Sequence, residues 1–369
     1  MRCMLVDDED LALKALHQQL SKIDDVEVVG MHQYPQEALE AIVRIRPDVV
    51  FLDIDMPEMN GLAAAEKVQD LHPAAEVVFV TAYEEYAVKA FELQALDYIL
   101  KPLQPERLLR TIGRLSDRLQ QKPAPVAAPP MIRCFPSLQI EYGDGKTLPW
   151  RTTKAQELFA YLLYRRHQPT RKDTLLDLLW PHTESKKAYT QLYTTIYQLR
   201  RSMEAAGLDI RIVNAGNGYA LDLGDGIYEA EQWEDRLQQA PPLARDTAEA
   251  FEQLLTTYRG DYLEAHDYIW AEGERQRLRG IWFHQAMRFA QYLEDWRGSA
   301  EGAVWYHRIQ DRFPFAEEVA LKLMEAYGAM GENSMVERQY AQLSAMLAEE
   351  FGTLPSSRTQ AWYREWKNP

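Results

Sequence analysis

The sequence predicts a multidomain protein with an α/β domain, a small α+β domain and an all-α domain, in that order. Three observations predict this organisation. Short apolar runs alternate with amphipathic stretches over residues 1–120, four prolines fall within residues 121–130, and β-like runs end near residue 224. The expected boundaries are therefore 1–120, a proline- and alanine-rich linker at 121–130, then 131–224 and 225–369, which suits a chain of 369 residues.

Net charge differs strongly between these segments. The whole chain carries −15, but residues 1–120 carry −10, residues 131–224 carry +4 and residues 225–369 carry −10. Because local charge decides where nucleic acid can dock, the middle segment remains a candidate for binding DNA. No apolar run approaches the roughly 18 residues of a membrane helix, and two cysteines cannot form a disulfide framework. A cytoplasmic protein without a membrane partner is expected.

The first segment has the pattern of a parallel sheet covered by helices. Apolar runs that predict five strands occur at residues 3–6, 26–30, 49–52, 77–80 and 98–100. Amphipathic stretches separate them, which indicates helices on both faces of the sheet. The fold alone does not define a function.

Polar residues follow the predicted strands of this segment. Asp7 and Asp8 follow the first strand, Asp53 the third, Thr81 ends the fourth and Lys101 follows the fifth. Ligands of open α/β sheets bind at the carboxyl ends of the strands, so these side chains are expected to meet. Clustered carboxylates need a cation, and oxygen ligands suit Mg²⁺. Carboxylates that hold Mg²⁺, together with the Lys101 ammonium and the Thr81 hydroxyl, are typical of a site for phosphoryl transfer.

These residues closely resemble a bacterial response-regulator receiver domain. The resemblance rests on Asp7-Asp8, Asp53-Ile54-Asp55-Met56-Pro57-Glu58-Met59-Asn60-Gly61, Thr81-Ala82, Tyr98 and Lys101-Pro102. It implies a flavodoxin-like fold with Asp53 as the residue phosphorylated by a sensor histidine kinase. It further implies that Asp8 and the backbone carbonyl of Asp55 share Mg²⁺ with Asp53, that Asp7 binds it through water, and that Thr81 and Tyr98 form a switch pair. The surface around residues 90–110 would then change shape and support a homodimer.

The middle segment is predicted to contain three helices followed by a β-hairpin. The helices are expected from residue 152, over 172–180 and over 185–206, and the hairpin strands at 210–213 and 219–221. This order predicts a winged helix whose third helix enters the major groove. It resembles the DNA-binding domain common in response regulators, through Ile196-Tyr197-Gln198-Leu199-Arg200-Arg201 and Gly216-Asn217-Gly218-Tyr219.

Basic and polar side chains of the third helix and the hairpin are the predicted contacts with promoter DNA. Lysine and arginine would bind phosphates, while glutamine and threonine could contact base edges. The predicted residues are Lys186, Lys187, Thr190, Gln191, Thr194, Arg200, Arg201, Arg211, Asn214 and Asn217.

Three tyrosines lie four residues apart on the same helix. Tyr189, Tyr193 and Tyr197 could stack on sugars or on a partner, or they could pack against the first two helices of the middle domain. Packing against those two helices is the expectation adopted here.

The last segment shows recurring helical patterns and no metal, nucleophile or phosphate motif. Helices are expected over 229–239, 244–257, 271–294, 299–312, 317–330 and 334–351, an arrangement typical of a tetratricopeptide-like array. Together with the middle segment, the ending from Leu347 to Ser356 resembles the bacterial transcriptional activation domain of the Streptomyces antibiotic regulatory protein family. This resemblance implies contact with RNA polymerase.

The sequence as a whole indicates a response regulator in which phosphorylation of Asp53 controls DNA binding and transcription. The alternative is a signalling adaptor, in which the helical array binds a protein and the winged helix serves dimerisation. An enzyme is disfavoured, because the acyl-phosphate pocket is the only reactive site in the pattern.

Overall fold

The computed structural model of the chain describes residues 1–82, 97–120 and 128–368. The chain divides into two compact units. The first comprises Met1–Ile132 and Gln139–Ile227, and the second comprises Arg133–Leu138 and Tyr228–Pro369. The predicted α/β domain and most of the predicted middle domain therefore belong to one compact unit.

The first unit begins with a five-stranded parallel sheet of order β2-β1-β3-β4-β5. Its elements in chain order are β1 (Arg2–Val6), α1 (Asp10–Leu20), β2 (Glu27–His32), α2 (Pro35–Ile45), β3 (Val49–Leu52), α3 (Gly61–Leu71), β4 (Glu76–Thr81), β5 (Asp97–Leu100) and α4 (Pro105–Gln120). This strand order confirms the predicted flavodoxin-like sheet.

Both faces of the sheet are buried, because successive side chains of a strand point to opposite faces. Met4 and Val6 lie in the core beneath α2 and α3. Cys3 and Leu5 lie in the opposite core, beneath α1 and α4. Burial on both faces explains why the strands are continuous apolar runs instead of alternating ones.

The remainder of the first unit contains three helices and short strands. The elements are β6 (Met131–Arg133), β7 (Gln139–Tyr142), β8 (Lys146–Thr147), α5 (Thr153–Tyr164), β9 (Thr170–Arg171), α6 (Lys172–Leu179), α7 (Ser185–Ala205), β10 (Arg211–Asn214), β11 (Gly218–Asp222) and β12 (Ile227–Tyr228). The sheet orders are β10-β11-β9 and β12-β6-β7-β8.

Local chemistry explains two of these elements. The Thr152 hydroxyl accepts a hydrogen bond from the Ala155 amide at 3.0 Å and begins α5 as an N-cap. A Cβ at Gly218 would lie 2.1 Å from the Thr170 carbonyl oxygen, so only glycine permits β9 to approach β11. The hairpin connection is shorter than predicted, because Asn214 is paired with Tyr219 in the ladder.

The second unit is mostly helical. Its helices are α8 (Glu229–Gln239), α9 (Ala248–Thr257), a 3-10 turn (Ile269–Ala271), α10 (Glu272–Arg297), α11 (Ser299–Arg312), α12 (Glu317–Met330), α13 (Asn333–Phe351) and α14 (Ser357–Lys367). From α10 to α13, each helix packs against the next. The sequence pattern did not predict α14, a short and polar helix that begins where the Ser356 hydroxyl accepts a hydrogen bond from the Thr359 amide. No helix among the described residues is long and apolar enough to cross a membrane.

A buried carboxylate joins the segment Arg133–Leu138 to helix α8 within the second unit. Glu229, the first residue of α8, accepts hydrogen bonds from the amides of Cys134 at 2.8 Å and Phe135 at 3.0 Å. Its other oxygen accepts from Arg133 and Arg259, each at 3.2 Å. This side chain satisfies two buried backbone donors that no strand or helix pairs.

Candidate functional site

An acidic pocket lies at the carboxyl edge of the parallel sheet, as the sequence predicts. Asp7, Asp8 and Asp53 each place a carboxylate oxygen within 4.8 Å of the others. The Asp53 amide donates to the Val6 carbonyl at 2.9 Å, which holds the ends of β1 and β3 together. The Lys101 amide likewise donates to the Thr81 carbonyl at 2.8 Å.

Lys101 is the cation that faces these carboxylates. Its ammonium nitrogen lies 2.7 Å from Asp7 Oδ2 and 2.9 Å from Asp53 Oδ2. Burial lowers the pKa of Lys101, but the hydrogen bonds to Asp7 and Asp53 outweigh it and leave that pKa raised. Burial raises the pKa of Asp7, against the effect of Lys101. The lysine is therefore charged at neutral pH and offsets part of the charge of the two carboxylates.

Asp53 is buried and both of its carboxylate oxygens have partners. Oδ2 accepts from Lys101, and Oδ1 accepts from the Ile54 amide at 2.6 Å. Asp8 and Asp55 are exposed, Asp8 after β1 and Asp55 two residues beyond Asp53. Asp8 and Asp55 thus lie on the exposed side of the pocket, whereas the Lys101 side chain is mostly buried.

The two residues predicted to act as a switch differ in how far the structure describes them. Thr81 is fully buried at the end of β4, and its hydroxyl has no hydrogen-bond partner among the described residues. The backbone of Tyr98 lies in β5 opposite Phe79, whereas its side chain lies outside the described residues. Residues 90–96 of the predicted surface at 90–110 also lie outside them, as do linker residues 121–127.

Helix α3 is anchored to the backbone next to Asp53. The Gly61 amide donates to the Ile54 carbonyl at 2.8 Å, and the Asn60 side chain accepts from the Leu62 amide at 2.7 Å. A Cβ at Gly61 would lie 1.9 Å from the Asp53 carbonyl oxygen. The position of α3 therefore depends on the loop of residues 53–60 that carries the acidic site.

Replacing Gly61 with alanine is expected to destabilise the first unit by about 1–3 kcal/mol, since the added methyl group has no room beside backbone atoms. Urea unfolding of the full chain followed by circular dichroism measures the effect. Gly113→Ala is the matched control, because a Cβ there meets nothing within 4 Å. Equal unfolding midpoints for both variants would contradict this prediction.

The predicted DNA contacts fall into two groups. One group has exposed or half-buried side chains: Lys186, Lys187, Gln191, Thr194, Arg211 and Asn217. Thr190 is buried, and its hydroxyl donates to the Lys186 carbonyl of the preceding turn at 3.0 Å. Arg211 forms an ion pair of 2.6 Å with Asp209.

The second group contacts the α/β domain. Arg200 lies 3.0 Å from Asp70 of α3, Arg201 pairs with Glu76 of β4, and Asn214 donates to Asp70. Sequence reasoning did not identify the acidic partners, because each pair joins two domains that are far apart in the chain and leaves no local pattern.

The tyrosines of α7 also fall into two groups, one that contacts the middle domain and one that contacts the α/β domain. The Tyr189 hydroxyl donates to Asp173 of α6 at 2.7 Å, in agreement with packing against the helices of the middle domain. Tyr197 instead belongs to the buried cluster beneath α2 and α3, and Tyr193 packs against that cluster. Tyr193 also faces α6, where the Lys172 ammonium lies 4.7 Å from the centroid of its ring. The expected packing on the first two helices therefore omits a second surface, because the α/β domain also covers Tyr193 and Tyr197.

Two family models match the chain. Residues 3–113 match the response regulator receiver domain, and residues 229–366 match the bacterial transcriptional activator domain. These matches, with the relatives below, support the predicted class of protein, a two-component transcriptional response regulator. This domain combination fits a regulatory protein.

Individual relatives resemble parts of the chain. An uncharacterized response regulatory protein of Yersinia pestis is 48% identical over 118 residues, covering 31% of this chain and 48% of the relative. The transcriptional regulatory protein BtsR of Salmonella typhi is 44% identical over 115 residues, covering 31% of this chain and 48% of BtsR. The chain thus spans about half the length of the curated relatives it matches.

One solved structure covers more of the chain. Mycobacterium tuberculosis EmbR, in complex with a low-affinity phosphopeptide, has a TM-score of 0.52 and 20% identity. It covers 65% of this chain and 64% of the EmbR chain. This likeness concerns the fold alone.

Proposed function

We propose that a sensor histidine kinase phosphorylates Asp53 and that this modification controls binding of the middle domain to promoter DNA. The observation that carries the proposal is the Asp53 carboxylate, paired with Lys101 and beside two further carboxylates at the carboxyl edge of the sheet. An Asp53 oxygen bonds to phosphorus while the P–N bond of the phosphohistidine breaks. The electron pair of that bond stays on the imidazole nitrogen.

The acidic pocket suits Mg²⁺, because its donors are carboxylate oxygens close together and one side is exposed. Asp8, Asp53 and the backbone carbonyl of Asp55 would hold the ion directly, and Asp7 would hold it through water. When bound, Mg²⁺ neutralises charge on the transferred phosphoryl oxygens. Lys101 supplies a second positive charge on the opposite side.

Thr81 and Tyr98 are proposed as the residues that respond to the phosphoryl group. The Thr81 hydroxyl is buried without a partner among the described residues, so it is available to donate to a phosphoryl oxygen. Tyr98 would occupy the space that Thr81 vacates. We further propose that activated receivers form a homodimer.

The elements α5, α6, α7 and the hairpin β10–β11 are proposed to form a winged helix. Two observations support this proposal: the order of these elements and the net charge of +4 over residues 131–224. Lys186 and Lys187 at the start of α7 are exposed and suit phosphate contacts. We propose that the helical unit is tetratricopeptide-like and contacts RNA polymerase, in line with the activator-domain match.

A signalling adaptor is the second candidate. One observation favours it: Arg200, Arg201 and Asn214 contact the α/β domain, which leaves them unavailable to DNA in this arrangement. In that case the winged helix would mediate contacts between proteins.

DNA binding of the phosphorylated full chain is expected to weaken steeply with salt, and Lys187→Ala is expected to lower the slope of log K against log salt by about one phosphate contact. Fluorescence anisotropy with random duplex DNA, acetyl phosphate and Mg²⁺ measures this slope. Lys22→Ala is the matched control, since it removes an exposed lysine from the α/β domain. The adaptor hypothesis predicts no salt-sensitive binding, and equal slopes for the two variants would exclude α7 as the binding helix.

A further inference from the structure

A cleft in the second unit lies between the end of α8 and helix α9. Its volume is about 430 Å³, within the range of roughly 300–1,000 Å³ that binding clefts have. The loop of residues 240–247 joins the two helices and forms one wall through Pro241 and Thr247. We call this feature the α8–α9 cleft, and nothing in the proposed function uses it.

The floor of the α8–α9 cleft is apolar. Ala250 and Leu254 lie four residues apart on α9, so both face the cleft from one side of the helix. Phe251 also lines the cleft, is only 5% exposed, and stacks on Phe289 of α10 with ring centroids 5.7 Å apart. An apolar side chain that covered this floor would displace water from it, which favours binding.

The wall formed by residues 240–247 is held in place by hydrogen bonds. The Thr247 hydroxyl accepts from the Ala244 amide at 2.9 Å and donates to the Pro242 carbonyl at 2.9 Å. Pro241 and Pro242 also fix their own φ angles. Because the wall is already ordered, binding of a ligand would cost little loop entropy.

Three exposed arginines lie at the edge of the α8–α9 cleft or beside it. Arg236 of α8 lines the cleft, and Arg245 belongs to the wall loop. The guanidinium carbons of Arg245 and Arg297 lie 5.7 and 4.2 Å from the ring centroid of Trp296. This aromatic ring attracts both cations and positions them without neutralising their charge.

These arginines keep their full charge at the protein surface. No carboxylate of the described residues forms an ion pair with Arg236, Arg245 or Arg297. Other arginines on α10 and α11 do pair with carboxylates, namely Arg275, Arg277, Arg279 and Arg308. The α8–α9 cleft is therefore an apolar surface bordered by positive charge that invites an acidic partner.

An acidic peptide fits these observations better than nucleic acid does. Residues 225–369 carry a net charge of −10, so the surrounding surface would repel a long polyanion such as duplex DNA. A short acidic segment would meet mainly the arginines, because charges further away than about 8 Å are largely screened at physiological salt. The apolar floor also suits an aliphatic or aromatic side chain, which a phosphate backbone does not offer.

We propose that the α8–α9 cleft binds a partner protein through a short acidic segment that carries a large apolar side chain. The apolar side chain lies on Phe251 and Leu254, and neighbouring carboxylates pair with Arg236 and Arg245, whose planar guanidinium groups suit carboxylates. Arg297 adds a third positive charge beside Trp296. This binding requires neither phosphorylation of Asp53 nor binding of DNA by α7.

The test selects ligands for the full-length protein from random peptides displayed on phage. Peptides that bind Ala250→Glu are removed first, because this change places a carboxylate on the floor of the cleft and repels the expected ligand. The peptides that the wild type then retains are expected to combine acidic residues with an aromatic or large aliphatic residue. Ala341→Glu, at an exposed position of α13, is the matched control and should bind the same peptides.

A fluorescently labelled synthetic copy of a retained peptide measures the contribution of the arginines. Fluorescence anisotropy should show that the double variant Arg236→Ala, Arg245→Ala binds this peptide about fivefold or more weakly than the wild type. Arg338→Ala, which removes an exposed arginine of α13, is the matched control and should bind like the wild type. Circular dichroism verifies that each variant is folded.

The proposal is overturned if no peptide remains after removal of those that bind Ala250→Glu, or if the retained peptides are not acidic. It is equally overturned if the double arginine variant binds the labelled peptide as tightly as Arg338→Ala does. Displacement of the peptide from the wild type by random duplex DNA would assign the arginines to phosphates and would also exclude an acidic peptide as the ligand.

Discussion

Asp53→Asn is expected to abolish phosphorylation of the full chain by acetyl phosphate and Mg²⁺. Asparagine keeps the shape of the side chain but lacks the carboxylate nucleophile that bonds to phosphorus as acetate leaves. It also removes the negative charge that Lys101 contacts at 2.9 Å. Intact-mass spectrometry should show one phosphoryl group on the wild type and none on the variant.

Asp55→Asn is the matched control for this experiment. Asp55 is exposed two residues beyond Asp53, and its proposed role uses only its backbone carbonyl. The control should therefore accept a phosphoryl group at close to the wild-type extent. A phosphoryl adduct on Asp53→Asn would show that another residue is the acceptor, whereas loss of the adduct in Asp55→Asn would assign the Asp55 side chain to the site.

Glu229→Ala is expected to destabilise the second unit by about 3 kcal/mol or more. The change leaves the buried amides of Cys134 and Phe135 without an acceptor, at roughly 1–3 kcal/mol each. Loss of the pairs with Arg133 and Arg259 adds less, because both arginines are partly exposed to solvent. The segment Arg133–Leu138 should then detach from α8.

Tryptophan fluorescence during urea unfolding of the full chain measures this effect. Seven of the nine tryptophans lie in the second unit, so emission reports mainly on that unit. Glu249→Ala is the matched control, an exposed glutamate in the first turn of α9, and should change stability by less than about 0.5 kcal/mol. If the two variants unfold at the same urea concentration, Glu229 does not stabilise the second unit. Phosphorylation of Asp53 should proceed in both.

The acidic site could be predicted from the sequence because every parallel strand ends at the same edge. Asp7, Asp53, Thr81 and Lys101 each follow or end an apolar run, so knowledge of the strands was enough to bring them together. The five strands and the long helix α7 were likewise predicted nearly at their observed bounds. Helix α14 was missed because its polar composition gives a weak periodic signal.

The contacts of α7 could not be predicted from the same kind of pattern. A row of tyrosines four residues apart has the same spacing whether it packs on a neighbouring helix, on DNA or on another domain. Only the structure shows that Tyr193 and Tyr197 contact the α/β core. The sequence does not distinguish Asp70 and Glu66 from solvated acids of an amphipathic helix. Their partners, Arg200 and Lys172, are known only from the structure.

The sequence by itself determined the elements of this protein, their order, the charge of each segment and the identity of the acidic site. These properties depend on residues near one another in the chain or on a rule that applies to every parallel sheet. The tertiary structure decided which surfaces meet: Glu229 with the segment Arg133–Leu138, and the carboxylates Glu66, Asp70 and Glu76 with α6 and α7. Lys172 and Glu66 are 106 residues apart, and their pairing depends on how two folded surfaces complement each other in shape and charge. No local spacing encodes that complementarity, because it arises only after each domain has folded.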